Sequence, residues 1–128
     1  MNRVKQEIVS SAVDGIKITA AGTINRCYCF NQDFIGFAGH FPGYPILPAF
    51  VQILTALTLA EEQRGYPLEL ASVENAKFHI QLRPGQEINV ECTEKLVGGK
   101  TGCEARLMVA EGLASLFRMS FVEKGDAG

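Results

Sequence analysis

The sequence has no excess of positive charge and no long apolar run. Its 128 residues include 12 Lys and Arg against 14 Asp and Glu, a formal net charge of −2, and the basic residues are spread singly. Binding a run of phosphates requires clustered Lys and Arg, so we expect no nucleic-acid partner. Because no apolar stretch has the length of a membrane span or of a signal peptide, we also expect a cytoplasmic protein with no membrane partner.

Metal-ligand spacing is absent as well. The four cysteines form no CxxC pattern, and both histidines lie far from them in the sequence. Structural zinc is therefore not expected. Cys92 and Cys103 fall on the apolar phases of two predicted strands, so we interpret them as small, reduced core residues.

The composition is that of an ordinary globular protein, with 47% hydrophobic and 20% charged residues. It contains no internal repeat, low-complexity tract or linker, and we predict one domain over residues 1–128. A chain of this length often buries more apolar surface by forming an oligomer.

The first third favours extended structure. We predict strands at Ile8–Val13 and Ile16–Tyr28, joined by a turn at Asp14–Gly15. The segment Gly36–Pro48 follows, with three glycines, three prolines and His40. Such a composition suits neither a helix nor a central strand, and it predicts a shaped loop.

A helix is predicted over Pro48–Arg64, about four turns long, with Pro48 at its first position and Gly65 at its C-terminal cap. Apolar residues occupy nearly its whole circumference, which is typical of a helix buried on most sides. The exceptions form a thin polar stripe of Gln52, Thr55 and Thr58.

The second half alternates between apolar and polar residues with the period of a strand. The apolar phases are Ala76, Phe78, Ile80 and Leu82; Ile88, Val90 and Cys92; Cys103, Ala105, Leu107 and Val109; and Phe117, Met119 and Phe121. Short turns near residues 83–86, 97–100 and 110–112 separate these segments and indicate an antiparallel meander. We therefore predict an α+β fold in which an antiparallel sheet of about six strands wraps around one long helix.

The most constrained loop surrounds His40 and leads directly into that helix. Unpaired N–H groups in the first turn of a helix can polarise a carbonyl oxygen, and a nearby imidazole can accept a proton. Together these groups would activate the carbon beside a carbonyl. A histidine in a loop is, by residue type alone, more often a structural or surface group than a catalyst. The role of His40 is therefore judged from the surrounding residues.

Those surroundings resemble a known family. The segment His-Phe-Pro-Gly-Tyr-Pro-Ile-Leu-Pro at residues 40–48 is similar, position by position, to the signature of the β-hydroxyacyl-[acyl carrier protein] dehydratases (FabZ/FabA-like). Val73–Phe78, followed by Arg83-Pro84-Gly85-Gln86, resembles the family's basic-Phe strand, which leads into a Pro-Gly-Asp turn.

The resemblance implies a hot-dog fold, paired into a homodimer or a larger assembly of dimers with an acyl tunnel at the interface. It implies dehydration of 3-hydroxyacyl thioesters to trans-2-enoyl thioesters in fatty acid or related acyl-chain synthesis, without a cofactor. The substrate would be carried by acyl carrier protein or coenzyme A. His40 would take the proton beside the thioester, and the Ala49 N–H would hold the thioester oxygen.

One departure from the family concerns the helix. The family has a catalytic Glu or Asp fourteen positions after the histidine, where this chain has Leu54, and Thr58 replaces the family's glutamine. The substrate-binding residues that we expect are Gly43, Ala49, Gln52, Leu54, Thr55 and Thr58.

Three interpretations of the missing acid remain open. In the first, Gln52 or Thr55 orients the leaving hydroxyl and the chain is a slow or altered dehydratase. In the second, a related subunit supplies the acid in a heterodimer. In the third, the chain binds acyl groups or their carrier without turnover. A thioesterase on the same fold ranks below these, because no acid is placed for it either.

Other polar candidates have less support. Glu61 and Glu62 lie about two turns beyond Leu54, roughly 10 Å along the axis, and we interpret them as a solvated helix end. His79 falls on the polar phase of its strand and is expected to be exposed. Tyr44 could equally line the tunnel mouth or pack against the protein.

Overall fold

The computed structural model describes residues 3–38 and 43–125. Six strands form one antiparallel sheet in the order β1-β2-β4-β5-β6-β3, which confirms the predicted architecture. In chain order the elements are α1 (Arg3–Ser10), β1 (Lys17–Ala20), β2 (Thr23–Cys29), a short 3₁₀ turn (Ile35–Phe37), α2 (Ala49–Arg64), β3 (Leu68–Phe78), β4 (Glu87–Val97), β5 (Lys100–Val109) and β6 (Gly112–Glu123).

Helix α2 is the centre of the structure. It begins one residue later than predicted, because Pro48 has an extended ψ of 151° and is the N-terminal cap. It ends at Gly65, whose left-handed φ of 81° lets its N–H reach the Glu61 carbonyl at 2.8 Å. This conformation favours glycine. The prediction of a helix buried on most sides is confirmed, since every residue from 54 to 60 is buried.

The sheet presents an apolar face to α2. Phe117, Met119 and Phe121 are buried there, as predicted. Cys92 and Cys103 are free, buried thiols, which confirms their interpretation as core residues. A hydrogen bond with Cys103, together with burial, raises the pKa of the Cys92 thiol, so Cys92 is protonated at neutral pH.

The predicted strand at Ile8–Val13 is wrong, because α1 occupies Arg3–Ser10. Val4 and Ile8 are four positions apart, a helical spacing that directs both side chains to the core. The predicted single strand Ile16–Tyr28 is also wrong, because a hairpin turn at Ala21–Gly22 divides it into β1 and β2, and the predicted turn at Asp14–Gly15 does not join two strands. The period-two pattern competed here with a helical one, and packing of α1 against α2 favoured the helix.

The predicted strand with Ala76, Phe78, Ile80 and Leu82 on one buried face is only partly right, because Ile80 and Leu82 join the core but lie beyond the end of the strand. Strand β3 starts earlier, at Leu68, and ends at Phe78, and both Ala76 and Phe78 are exposed. Its register with β6 breaks between Glu74 and Lys77, where Asn75 has a φ of 53°. After this break, residues on both phases of the strand are exposed, although the Phe78 ring still stacks against the buried Phe117 ring at 6.4 Å.

The described residues contain no helix long and apolar enough to cross a membrane.

Strands β5 and β6 approach closely at Gly102, where a Cβ would overlap the carbonyl oxygen of Met119. We expect Gly102→Ala to lower the free energy of unfolding by about 1–3 kcal/mol, the usual cost of overpacking. Chemical denaturation measures the change. Gly15→Ala is the control, because a Cβ on Gly15 has no atom within 4 Å. Equal stability of the two variants would contradict the close approach.

Candidate functional site

Gly43 is the first residue of the predicted site, in chain order, that the structure describes. His40, the predicted base, lies outside the described residues, so its position stays a prediction. Gly43 is exposed, with a φ of 82°. From there the segment 43–48 (the motif loop) leads into α2.

The motif loop is attached to the turn at residues 82–86. The Leu47 N–H donates to the Leu82 carbonyl at 2.8 Å, and the Arg83 guanidinium lies 3.7 Å from the centre of the Tyr44 ring. Tyr44 nevertheless remains 47% exposed. The ring therefore packs against Arg83 and also borders solvent, and a place for Tyr44 at a tunnel mouth stays a prediction.

The start of α2 is open to solvent. Ala49 is exposed, and the neighbouring Phe50 side chain is 66% exposed. As the first residue of the helix, Ala49 has no intrahelical acceptor for its N–H, and Pro48 provides no side-chain cap. The helix dipole makes this N–H group a suitable donor to an oxygen that gains negative charge.

Leu54 and Thr58 share one face of α2, one turn apart. Both are buried, and the Thr58 hydroxyl donates to the Leu54 carbonyl at 2.7 Å. Thr55 in turn donates to the Val51 carbonyl at 2.8 Å. A hydroxyl has a single proton to donate, and both threonines already use theirs. Neither hydroxyl proton is therefore free for another acceptor.

The Gln52 side chain points away from the Leu54 face and towards the motif loop. It is two positions before Leu54, about 200° around the helix, and therefore on the far side from it. Its amide nitrogen donates to the Leu47 carbonyl at 3.1 Å, so the side chain supports the motif loop. Its Oε1 atom is buried without a hydrogen-bond partner among the described residues. Gln52 thus joins the motif loop, whereas Leu54 and Thr58 form a separate face.

The expectation that Glu61 and Glu62 form a solvated helix end is wrong. Glu61 accepts from Lys5 at 2.8 Å and from the Leu68 N–H at 2.7 Å, and Glu62 pairs with Arg26 at 2.8 Å. Both carboxylates are committed to structural ion pairs that tie α2 to α1 and to β2. His79 is exposed, as predicted.

Two features of the structure were missed by sequence reasoning. A cavity of about 540 Å³ lies between α1 and the C-terminal half of α2, and Val9, Thr58 and Tyr66 help to line it. It was missed because α1 was predicted as a strand. The second feature is the Arg83 contact with Tyr44, for which the sequence contains no local signal. Among the described residues no group of His, Cys, Asp or Glu could hold a metal ion.

The fold, with the motif loop leading into α2, is that of a hot-dog protein. The chain resembles the dehydratase heterocomplex ApeI:P from Xenorhabdus doucetiae, with a TM-score of 0.73 and 20% identity over 88% of this chain and 96% of that one. It also resembles the Escherichia coli PaaI protein from the phenylacetic acid degradation operon, with a TM-score of 0.59 and 14% identity, covering 83% of this chain and 79% of that one.

The family follows from the sequence comparison. Residues 17–110 match the model of the ApeI-like dehydratases, and the chain belongs to this family. Among curated proteins, the 3-hydroxyacyl-[acyl-carrier-protein] dehydratase FabZ of Bacillus cereus is 33% identical over 89 residues, which cover 64% of this chain and 60% of that protein. FabZ of Bacillus velezensis is 32% identical over 102 residues, covering 64% and 71%. The chain thus spans less than two thirds of the length of the Bacillus cereus relative.

The bond from Gln52 to Leu47 can be tested by Gln52→Met, which keeps the length of the side chain but removes its polar atoms. We expect a loss of about 0.5–1.5 kcal/mol in the free energy of unfolding, the usual contribution of one hydrogen bond. Thermal and urea unfolding measure this loss. Gln63→Met, at an exposed position of the same helix, should change stability little. Equal effects at the two positions would argue against a specific role for Gln52.

Proposed function

We propose that the chain is the histidine-bearing subunit of a dehydratase that converts 3-hydroxyacyl thioesters into trans-2-enoyl thioesters. The acyl group would be carried by acyl carrier protein or coenzyme A. We further propose that the acid that protonates the leaving hydroxyl belongs to the subunit with which this chain pairs.

The half-reaction assigned to this chain is removal of the proton from C2. His40 would accept this proton, while the Ala49 N–H would stabilise the negative charge that develops on the thioester oxygen. The exposed start of α2, directly after the motif loop, supports this role for Ala49. The C2–H electrons then form the C2–C3 double bond.

The other half-reaction is departure of the hydroxyl from C3. The hydroxyl must gain a proton to leave as water. The observation that carries the proposal is the apolar face at Leu54, where the family has its acid. The nearby threonine protons are used within the helix, and the two carboxylates of α2 are held in ion pairs. A missing general acid typically costs about a hundredfold to ten-thousandfold in rate, so an external acid would matter greatly.

Strand β3 supports pairing with another subunit. It lies at one edge of the sheet, is 11 residues long, and carries the exposed apolar side chains Leu70 and Phe78. A long edge strand leaves a row of unpaired N–H and C=O groups available to a second chain. A dehydratase of the same fold, ApeI:P, is a heterocomplex, which favours a partner that is related but not identical.

The activity can be tested with the purified chain on carrier-linked and coenzyme A-linked 3-hydroxyacyl substrates, by following enoyl formation. We expect little turnover by the chain alone, because an acid is missing. Leu54→Glu should raise the rate by at least tenfold, and His40→Ala in the Leu54→Glu background should abolish it.

Addition of a related hot-dog subunit that carries a helical acid should have the same effect as Leu54→Glu. Efficient turnover by the wild-type chain alone would contradict the need for an external acid. Inactivity of every form, with retained binding of acyl thioesters, would instead identify a non-catalytic binding subunit.

The edge of β3 can be tested by Leu70→Lys, which places a charge on the proposed interface. We expect the variant to shift towards the monomer by at least tenfold in dissociation constant, as measured by analytical ultracentrifugation with and without the related subunit. Ile18→Lys is the matched control, because Ile18 is 71% exposed on β1, at the opposite edge. A wild-type chain that is monomeric in both conditions would contradict the proposed assembly.

A further inference from the structure

Arg83 is oriented by an aromatic ring. Its guanidinium carbon lies 3.7 Å from the centre of the Tyr44 ring, the geometry of a cation–π contact. Among the described residues Arg83 forms no salt bridge. The ring of Tyr44 is therefore the contact that sets the direction of the guanidinium.

The turn that carries Arg83 is firmly attached to the core. The Arg83 N–H donates to Gln86 Oε1 at 2.7 Å, and the Gly85 N–H donates to the Phe30 carbonyl at 2.8 Å. Leu82 is fully buried and Phe30 is 1% exposed. The turn can therefore serve as a fixed support for a neighbouring segment.

The motif loop meets this support at two points. Tyr44 stacks on Arg83, and the Leu47 N–H donates to the Leu82 carbonyl, so adjacent residues of the turn hold positions three apart in the loop. Pro45 and Pro48 restrict the backbone of the same segment. The two bonds at Leu47, to Leu82 and from Gln52, hold the end of the loop next to α2, whereas the Arg83 contact holds its other end at Tyr44.

We propose that Arg83 is a positioning residue, which acts through Tyr44 to fix the motif loop between the histidine motif and the Ala49 N–H. This inference rests on the proposed function, in which both groups act on one thioester. Arg83 itself touches no substrate in this scheme. Loss of its charge would misalign the two groups without unfolding the protein.

The first experiment needs no turnover. The chain has two histidines, His40 and His79, so histidine NMR spectra contain two sets of ring signals, which His79→Gln assigns. We expect Arg83→Gln and Tyr44→Leu to shift the His40 ring signals and their titration midpoint. Arg83→Lys and Tyr44→Phe keep a cation and a ring, and should retain most of the wild-type spectrum.

The second experiment measures rates in the form that turns over, either the paired complex or the Leu54→Glu variant. We expect Arg83→Gln to lower kcat about two- to fivefold, the range that corresponds to one exposed cation–π contact, with little change in KM. The effect should be equal for coenzyme A thioesters and for neutral N-acetylcysteamine thioesters. An effect confined to coenzyme A thioesters would make Arg83 a direct ligand of the carrier's phosphate and overturn the proposal.

The proposal would also be overturned if the Arg83→Gln variant had the unfolding midpoint of the wild type and unchanged His40 signals. Additive effects of Arg83→Gln and Tyr44→Leu on those signals would overturn it as well, because residues that act through one contact are not additive. If the NMR result holds and no form turns over, the proposed function fails while Arg83 still positions the loop.

Discussion

The burial of α2 is the constraint on which the rest of the structure depends. The sheet covers one side of the helix and α1 packs against another, so nearly all of its middle is removed from water. A polar side chain in this position must find a partner within the protein. Thr55 and Thr58 meet this requirement by bonding to helix carbonyls. The same requirement keeps the carboxylates at the end of the helix, where Lys5 and Arg26 neutralise them.

This arrangement divides the helix into two functional regions. The first turn is exposed and presents the Ala49 N–H beside the motif loop, while the Leu54 face one turn later is apolar. In the function that we propose, a base and an acid are both required, and this chain supplies the first. The proposed activity therefore depends on assembly, and β3, at the edge of the sheet, is the surface that we propose for pairing with a second subunit.

Much of the fold could be predicted because periodicity is a local property. The helix at residues 48–64 and the strands after residue 87 were identified from patterns that packing did not alter. Errors occurred where one segment satisfied two periods or where a strand was irregular: Val4 and Ile8 suit a helix, and the register of β3 breaks near Asn75. Contacts with distant residues decided both cases.

The sequence by itself determined the family motif around His40, the absence of an acid at Leu54 and the buried character of α2, since these depend on residue type and spacing. The tertiary structure alone decided that Gln52 turns back to the motif loop, that both glutamates of α2 are paired, and that Arg83 lies over Tyr44. Each of the ion pairs and the ring contact joins segments far apart in the chain. Such contacts depend on how distant elements pack against one another. A local sequence pattern does not contain this information.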